Sequence, residues 1–214
     1  CEKNNFSLCP IILREFLTKQ TYRSKRGIYF KKNKKKISAI LVTHVFGSSA
    51  KIDQLLKISK EFDIPLVEDS AESLGCYYNK THLGNFGKIG ILSFNGNKVV
   101  TTGAGGAILT NSKKLYNNCL HLVRVAKKNH LWEFNHDQVG YNYRISNLSA
   151  SLGCSQLNRL NIILKKKKDL QNKYKKLFIK NRYFTFVDFN KIDKFKSNYW
   201  LNGIILKKKS KKVK

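Results

Sequence analysis

A strand, a helix and a second strand follow one another within residues 37–69, and no other stretch narrows the fold as much. Residues 37–46 read as a strand with its apolar centre from Ala39 to Val42. Residues 51–62 set Ile52, Leu55, Leu56 and Phe62 on one side of a helix, and Asp63 ends it. Residues 65–67 begin the next strand, which closes on Glu68, Asp69 and Ser70. Strand, helix and strand in so few residues make a βαβ unit, so the sheet there is parallel. The expected class is α/β with a mostly parallel sheet. An acidic residue at the C-terminal end of a buried parallel strand points into the crevice where such sheets bind ligands. Asp69 or Ser70 could equally cap a helix.

The stretch 89–110 supplies the chemistry. Residues 89–94 form an apolar run that stops in the polar cluster Asn95, Gly96, Asn97, Lys98. A glycine-rich turn, 103–106, precedes a second apolar run, 107–109. The pattern is strand, exposed loop, tight turn, strand. One lysine sits where the first of these strands has just ended. Burial among apolar neighbours disfavours an ammonium, and a neutral amine forms a Schiff base with an aldehyde or ketone. The plain alternative is a surface lysine in a chain with 42 Lys and Arg residues. Gly103, Gly105 and Gly106 are expected to supply positive φ in the turn. The GAGG run does not follow the dinucleotide fingerprint, and Lys98 is not in a Walker A pattern.

Elsewhere the reading is coarser. A helix over 10–18, with Pro10 in its first turn, leads through an irregular connection to an exposed turn at 31–36. Residues 76–83 alternate around Asn79 and Lys80 as a hairpin. A helix over 112–123 is capped by Asn111 or Ser112, and a polar connection, 124–138, carries Trp132 and Phe134. Ser146 caps a helix to about residue 160, with Leu148, Leu152 and Leu157 inward. A further helix, 162–178, turns Leu170, Tyr174, Leu177 and Phe178 to its buried side. Strands are expected at 183–189 and 199–206.

The net charge of +29 invites a basic nucleic-acid-binding reading. The lysines lie in runs, at 31–36, 165–168 and 207–214, without an aromatic platform or recognition motif. Charge of that kind gives only salt-sensitive, non-specific attachment, so it is read as solvated surface that would draw in an anionic substrate. A hydrophobic share of 42% supports a core. No apolar run reaches the roughly 18–20 residues that span a bilayer. The five cysteines form no CxxC pair, which argues against a zinc ribbon or disulfide scaffold and suits a reducing cytoplasm. His130 and His136 lack cysteine or acidic partners at ligand spacing, so no metal is expected. The sequence contains no Met and begins at Cys1, and is read as a fragment.

The motifs SFNGNK (93–98) and TTGAGG (101–106) resemble the lysine loop of the DegT/StrS sugar aminotransferases, which use pyridoxal phosphate (PLP). EDSAESLG (68–75) and VGYNYRISNLSASLG (139–153) stand in that family's order and at similar spacing. With HVFG (44–47) and WEFNHD (132–137), they look most like the branch that aminates nucleotide-linked 4-keto sugars for legionaminic-type acids. The resemblance runs over about residues 1–206. It implies a partial type-I aminotransferase-like large domain over 1–160, then a linking helix and a truncated small domain over 161–214. It implies that Lys98 bonds the cofactor's aldehyde and then serves as acid and base. Asp69 would keep the pyridine nitrogen protonated, and Glu72 would neighbour the ring and its 3-oxygen. Ser93 would bind the PLP phosphate, as would Asn142 from across a homodimer interface. Tyr143 and Arg144, with Tyr141, are substrate contacts or interface packing. The implied partners are a nucleotide-sugar substrate and an amino-acid donor, glutamate in the family. A sugar dehydratase is disfavoured because family members of that type replace the lysine. A truncated, non-catalytic remnant is the other alternative. The resemblance implies that the family's phosphate-cradling helix start and ring-stacking aromatic lie outside this chain.

Overall fold

The computed structural model describes residues 1–189 and 192–207. Its centre is a four-stranded sheet ordered β3 (Ile40–Thr43), β4 (Leu66–Asp69), β7 (Ile89–Ser93), β8 (Gly106–Leu109). The first three strands run parallel and β8 returns antiparallel. The expected βαβ unit is β3, then α2 (Ile52–Phe62), then β4. Asp63 ends α2 in the left-handed conformation, φ 53°, its N–H bonded back to the carbonyls of Ser59 and Lys60. Ile52, Leu55 and Ile58 of α2 are buried with Ile40, Val42 and Leu66 of the sheet. α1 (Pro10–Gln20) adds Leu17 to the same core.

Strand alternation divides the sheet into two faces. Val42, Glu68 and Leu92 lie on the face under α2, all buried. Thr43, Asp69, Ile91 and Ile108 are register partners on the other face, where Leu41, Ile91 and Ile108 are exposed.

Glu68 is fully buried and is the polar hub of the covered face. Its Oε1 accepts the N–H groups of Phe86 and Gly87, both at 2.7 Å. Its Oε2 accepts the N–H of Gly84 at 2.8 Å and meets His44 Nε2 at 3.0 Å. The Ala50 N–H donates to His44 Nδ1 at 3.1 Å, so Nε2 carries the hydrogen and donates to Glu68. Burial pushes the Glu68 carboxyl upward, but His44 and the backbone donors outweigh it and the net direction is below 4.5.

Several elements differ from the sequence expectation. Residues expected as an irregular connection form a hairpin, β1 (Thr21–Ser24) with β2 (Gly27–Phe30), across which the exposed Tyr22 stacks on the half-buried Tyr29. The first sheet strand is shorter than 37–46 because a 3-10 turn over Val45–Gly47 interrupts it, with Phe46 at φ 58°. The expected hairpin around Asn79 and Lys80 is present as β5 (Tyr77–Tyr78) and β6 (Thr81–His82), both turn residues at positive φ. β10 (Phe195–Lys196), which periodicity did not announce, adds to β5. Gly103 and Gly105 take positive φ as expected, whereas Gly106 is a strand residue where a Cβ would collide with the Leu92 carbonyl.

Ser112 and Ser146 cap α3 (Lys113–Leu122) and α4 (Asn147–Asn158). The inward faces expected for α4 and α5 (Leu160–Phe178) are not buried. Leu148, Leu152 and Leu157 are exposed, and so are Leu170, Tyr174 and Leu177. α4 instead buries Gly153, and α5 buries Leu164 and Gln171. Periodicity fixes which side of a helix is apolar, not what covers it. The strand expected at 199–206 is confined to β11 (Ile204–Leu206), paired with β9 (Phe184–Phe186). Tyr199 breaks it at φ 57°. The end of the lysine run at 207–214 lies outside the described residues beyond Lys207.

Glu68→Ala leaves three backbone N–H groups and the buried His44 imidazole without an acceptor, and should cost about 3–5 kcal/mol in urea unfolding. Because the folded carboxyl sits below 4.5, its stabilisation is present above the unfolded value and is lost as pH falls through the folded one. Unfolding free energy of the unaltered chain should therefore decline below about pH 4.5, and that part of the decline should be absent in Glu68→Ala.

Candidate active site

The three parallel strands end side by side, and each ends in a polar residue: Thr43, Asp69 and Ser93. Thr43 and Asp69 are direct register partners. The Thr43 hydroxyl donates to Asp69 Oδ2 at 3.3 Å, and the Ala71 N–H donates to Oδ1 at 3.1 Å. The Asp69 carboxylate is thereby fixed on the face opposite Glu68. Sequence reasoning missed Thr43. The signal was available, since in-register parallel strands that end together must present their last side chains together.

The chain leaving β4 carries Glu72 three residues after Asp69. Glu72 Oε2 accepts the N–H of Phe46 at 2.6 Å, which ties this turn to the one after β3. Glu72 Oε1 lies 3.8 Å from Lys98 Nζ, with the lysine and glutamate side chains 14% and 22% exposed. The two groups form a half-enclosed cation–anion pair at the strand ends.

Lys98 is held by the loop that bears it. The Lys98 N–H bonds the Asn95 carbonyl at 3.0 Å, closing a turn. The next two residues, Val99 and Val100, are buried. Thr101 N–H donates to Gln156 Oε1 of α4 at 3.1 Å, and the Thr101 hydroxyl donates to the Phe94 carbonyl at 3.0 Å. The Lys98 ammonium also sits 4.2 Å from the centroid of the Trp200 ring, and the indole N–H donates to the Asn97 carbonyl at 2.8 Å. Trp200 is a site neighbour that periodicity concealed, because residues 199–206 read as strand.

Ser93 ends β7 with its hydroxyl accepting one long hydrogen bond, 3.4 Å from the Asn95 N–H. Asn142, Tyr143 and Arg144 lie on an exposed arm. Asn142 bridges Arg124, the Tyr143 N–H bonds the Val123 carbonyl at 3.2 Å, and Tyr143 stacks on Tyr141 with centroids 5.1 Å apart. Ile145, at the arm's base, packs beside Gly105 of the glycine-rich turn. Among the described residues, no hydrogen bond or ion pair joins Asn142, Tyr143 or Arg144 to Lys98, Asp69, Glu72 or Ser93. The structure thus gathers those last four at one sheet edge and sets the arm apart. His130 Nδ1 accepts the N–H of Glu133 at 3.0 Å, and His136 Nδ1 bonds the Val125 carbonyl at 2.7 Å.

This donor set fits an aromatic aldehyde phosphate. The set comprises one primary amine, one carboxylate immobilised by two donors, and a hydroxyl with its hydrogen uncommitted. Space beside the lysine loop is open, since a Cβ at Gly96 or Gly103 would meet nothing within 4 Å.

Comparison with known proteins agrees with the motif reading. A GDP-perosamine synthase of Escherichia coli is 37% identical over 141 residues, 66% of this chain and 38% of the relative. A UDP-4-amino-4,6-dideoxy-N-acetyl-beta-L-altrosamine transaminase of Campylobacter jejuni is 35% identical over 178 residues, 82% of this chain and 46% of the relative. Helicobacter pylori PseC, an aminotransferase of pseudoaminic acid biosynthesis, superposes at TM-score 0.82 with 24% identity, covering 96% of this chain and 51% of that one. At that identity the likeness establishes the fold alone, shared over about half of that aminotransferase. The chain spans less than half the length of these two curated relatives. No helix among the described residues is long and apolar enough to cross a membrane. The sequence profile of the DegT/DnrJ/EryC1/StrS aminotransferase family matches residues 2–214, and the chain belongs to that family.

Proposed function

We propose that the strand-end cluster is the PLP site of a nucleotide-sugar aminotransferase that aminates a 4-keto sugar for surface polysaccharide or nonulosonic acid synthesis. The observation that carries this reading is the Lys98 amine held half-enclosed beside Glu72 where three parallel strands end. Relatives named as a GDP-perosamine synthase and an altrosamine transaminase support the substrate class.

When bound, PLP supplies an aldehyde for amine capture and a ring that takes up the electrons of the substrate carbanion. Lys98 Nζ is the amine that would bond the cofactor's aldehyde and would be set free by an amino-acid donor such as glutamate. Set free, Nζ would serve as the base that takes the proton from the donor's α-carbon and as the acid that returns one. Asp69 would hold a proton at the pyridine nitrogen. Its two hydrogen bonds from Thr43 and Ala71 keep the carboxylate aimed. The Ser93 hydroxyl would donate to the phosphate. The reading includes action in the cytoplasm, as a homodimer in which Asn142 of one protomer reaches the phosphate bound by its partner. The exposed Trp132, Phe134, Val139 and Tyr143 of the arm support such an interface. Tyr143 and Arg144 are assigned to substrate or to that interface.

Adding PLP should give a visible absorbance band that borohydride fixes and that Lys98→Ala abolishes. A chain that gives no band is a non-catalytic remnant, and salt-titratable retention on DNA without PLP uptake would mark a nucleic-acid binder. Asp69→Asn should keep the band but slow its decay with amino donor by roughly 10²-fold or more. Sedimentation should report a dimer, shifted toward monomer by the double change Tyr141→Ser and Tyr143→Ser.

A further inference from the structure

Residues 197–200, Ser-Asn-Tyr-Trp, lie far along the chain from every strand-end residue discussed above, and all four are buried. Each of the three strand-end turns is tied to this one segment. The Ser197 hydroxyl donates to the Gly47 carbonyl at 2.7 Å, in the turn after β3. The Asn198 amide donates to the carbonyls of Glu72 and Leu74 at 2.8 and 2.9 Å, in the turn after β4. The Trp200 indole N–H donates to the Asn97 carbonyl at 2.8 Å, in the loop after β7. Asn198 Oδ1 also accepts the N–H of Trp200 at 3.0 Å, so the segment is braced internally. The fit is close, because a Cβ at Gly47, whose φ is +74°, would collide with Asn198 Oδ1.

The contact with Lys98 is of a different kind. Its ammonium lies 4.2 Å from the Trp200 ring centroid, on the side chain that fixes the carbonyl immediately preceding it in sequence. The ring itself is held by Val99 and Leu164. A lysine side chain has four rotatable bonds, and an exposed loop would leave its amine to wander. Here one face of the amine meets the Glu72 carboxylate and another meets an immobile indole.

We propose that Trp200 is a positioning residue for Lys98: its ring seats the ammonium and its N–H locks the loop, so that the amine is presented at one place at the strand ends. The role in cofactor capture rests on the PLP reading above; the seating itself does not. Seating by a ring face at this range favours the held conformer by roughly 2- to 30-fold over a free side chain. Trp200→Phe keeps a smaller aromatic ring and loses the N–H; Trp200→Leu loses both ring and N–H.

The seating is tested without cofactor. In the full chain carrying isotope-labelled lysine, assigned by Lys98→Arg, the Lys98 ε-methylene resonance should be shifted upfield of the other lysines by the indole ring current. The shift should persist in part in Trp200→Phe and vanish in Trp200→Leu. A Lys98 resonance among the surface lysines in the unaltered chain overturns the proposal, even if Trp200→Leu fails to fold. So does an upfield shift that survives in a folded Trp200→Leu. The consequence for capture is read by adding PLP, reducing with borohydride and mapping modified lysines. Lys98 should be modified preferentially in the unaltered chain, with that preference falling about tenfold in Trp200→Leu and less in Trp200→Phe. Upfield-shifted Lys98 without preferential modification would sink the PLP reading and leave the seating intact. Preferential modification unchanged in Trp200→Leu would overturn the positioning role.

Discussion

A carboxylate with no solvent contact sits at the centre of this molecule, and four donors converge on it. Removing a charge from water costs several kcal/mol, so Glu68 is tolerable only because His44 and three backbone N–H groups replace the lost hydration. The same bonds organise the chain around it. Gly84, Phe86 and Gly87 belong to the connection entering β7, and His44 to the turn leaving β3. One side chain of the middle strand therefore fixes how its two neighbours begin and end. The alignment of three strand ends, on which any site at that edge depends, follows from this burial more than from the apolar core.

The residue after Glu68 shows how strand geometry assigns opposite roles to like side chains. Asp69 is chemically almost the same group, one position on, and alternation puts it on the other face. There it is half-buried rather than sealed, and two hydrogen bonds hold it where four hold its neighbour. A one-residue slip of β4 would exchange the two, placing the structural carboxylate in the crevice and leaving the donors of 84–87 without an acceptor. Glu68 thus specifies the register that gives Asp69 its position.

Legibility in the sequence followed the range of the interaction. Local signals were plain. The βαβ unit, the left-handed stop at Asp63, the turn at Asn79 and Lys80, and the caps at Ser112 and Ser146 all depend on residues a few positions apart. Long-range ones were not. Nothing near Trp200 announces that its indole will meet a carbonyl 103 residues away, and an apolar run with a tryptophan reads as strand. The helices α4 and α5 failed in the opposite sense, since their apolar stripes are real in sequence but stay exposed at Leu148, Leu157 and Leu177. Asp69 and Lys98 could be nominated because each stands at or just past the end of a strand visible by its composition, and Ser93 because it matches a family motif. Their partners Thr43, Phe46 and Trp200 required the register and the tertiary path.

Charge sharpens the difference between Lys98 and the many lysines around it. The chain carries only 13 acidic residues against 42 basic ones, yet Glu68, Asp69 and Glu72 fall within five positions. Among the described residues, most lysines have no carboxylate within ion-pair distance and gain little from a solvated neighbour. Lys98 faces a carboxylate that is itself held at 2.6 Å by a backbone N–H, on a loop anchored by two buried valines. Positioning costs side-chain entropy, and a group that will react must have that entropy removed before its partner arrives. In a protein whose surface offers amines everywhere, selectivity for one of them cannot come from the amine. It has to come from the surroundings that keep one amine still, and those surroundings are drawn from four segments that only the folded chain brings together.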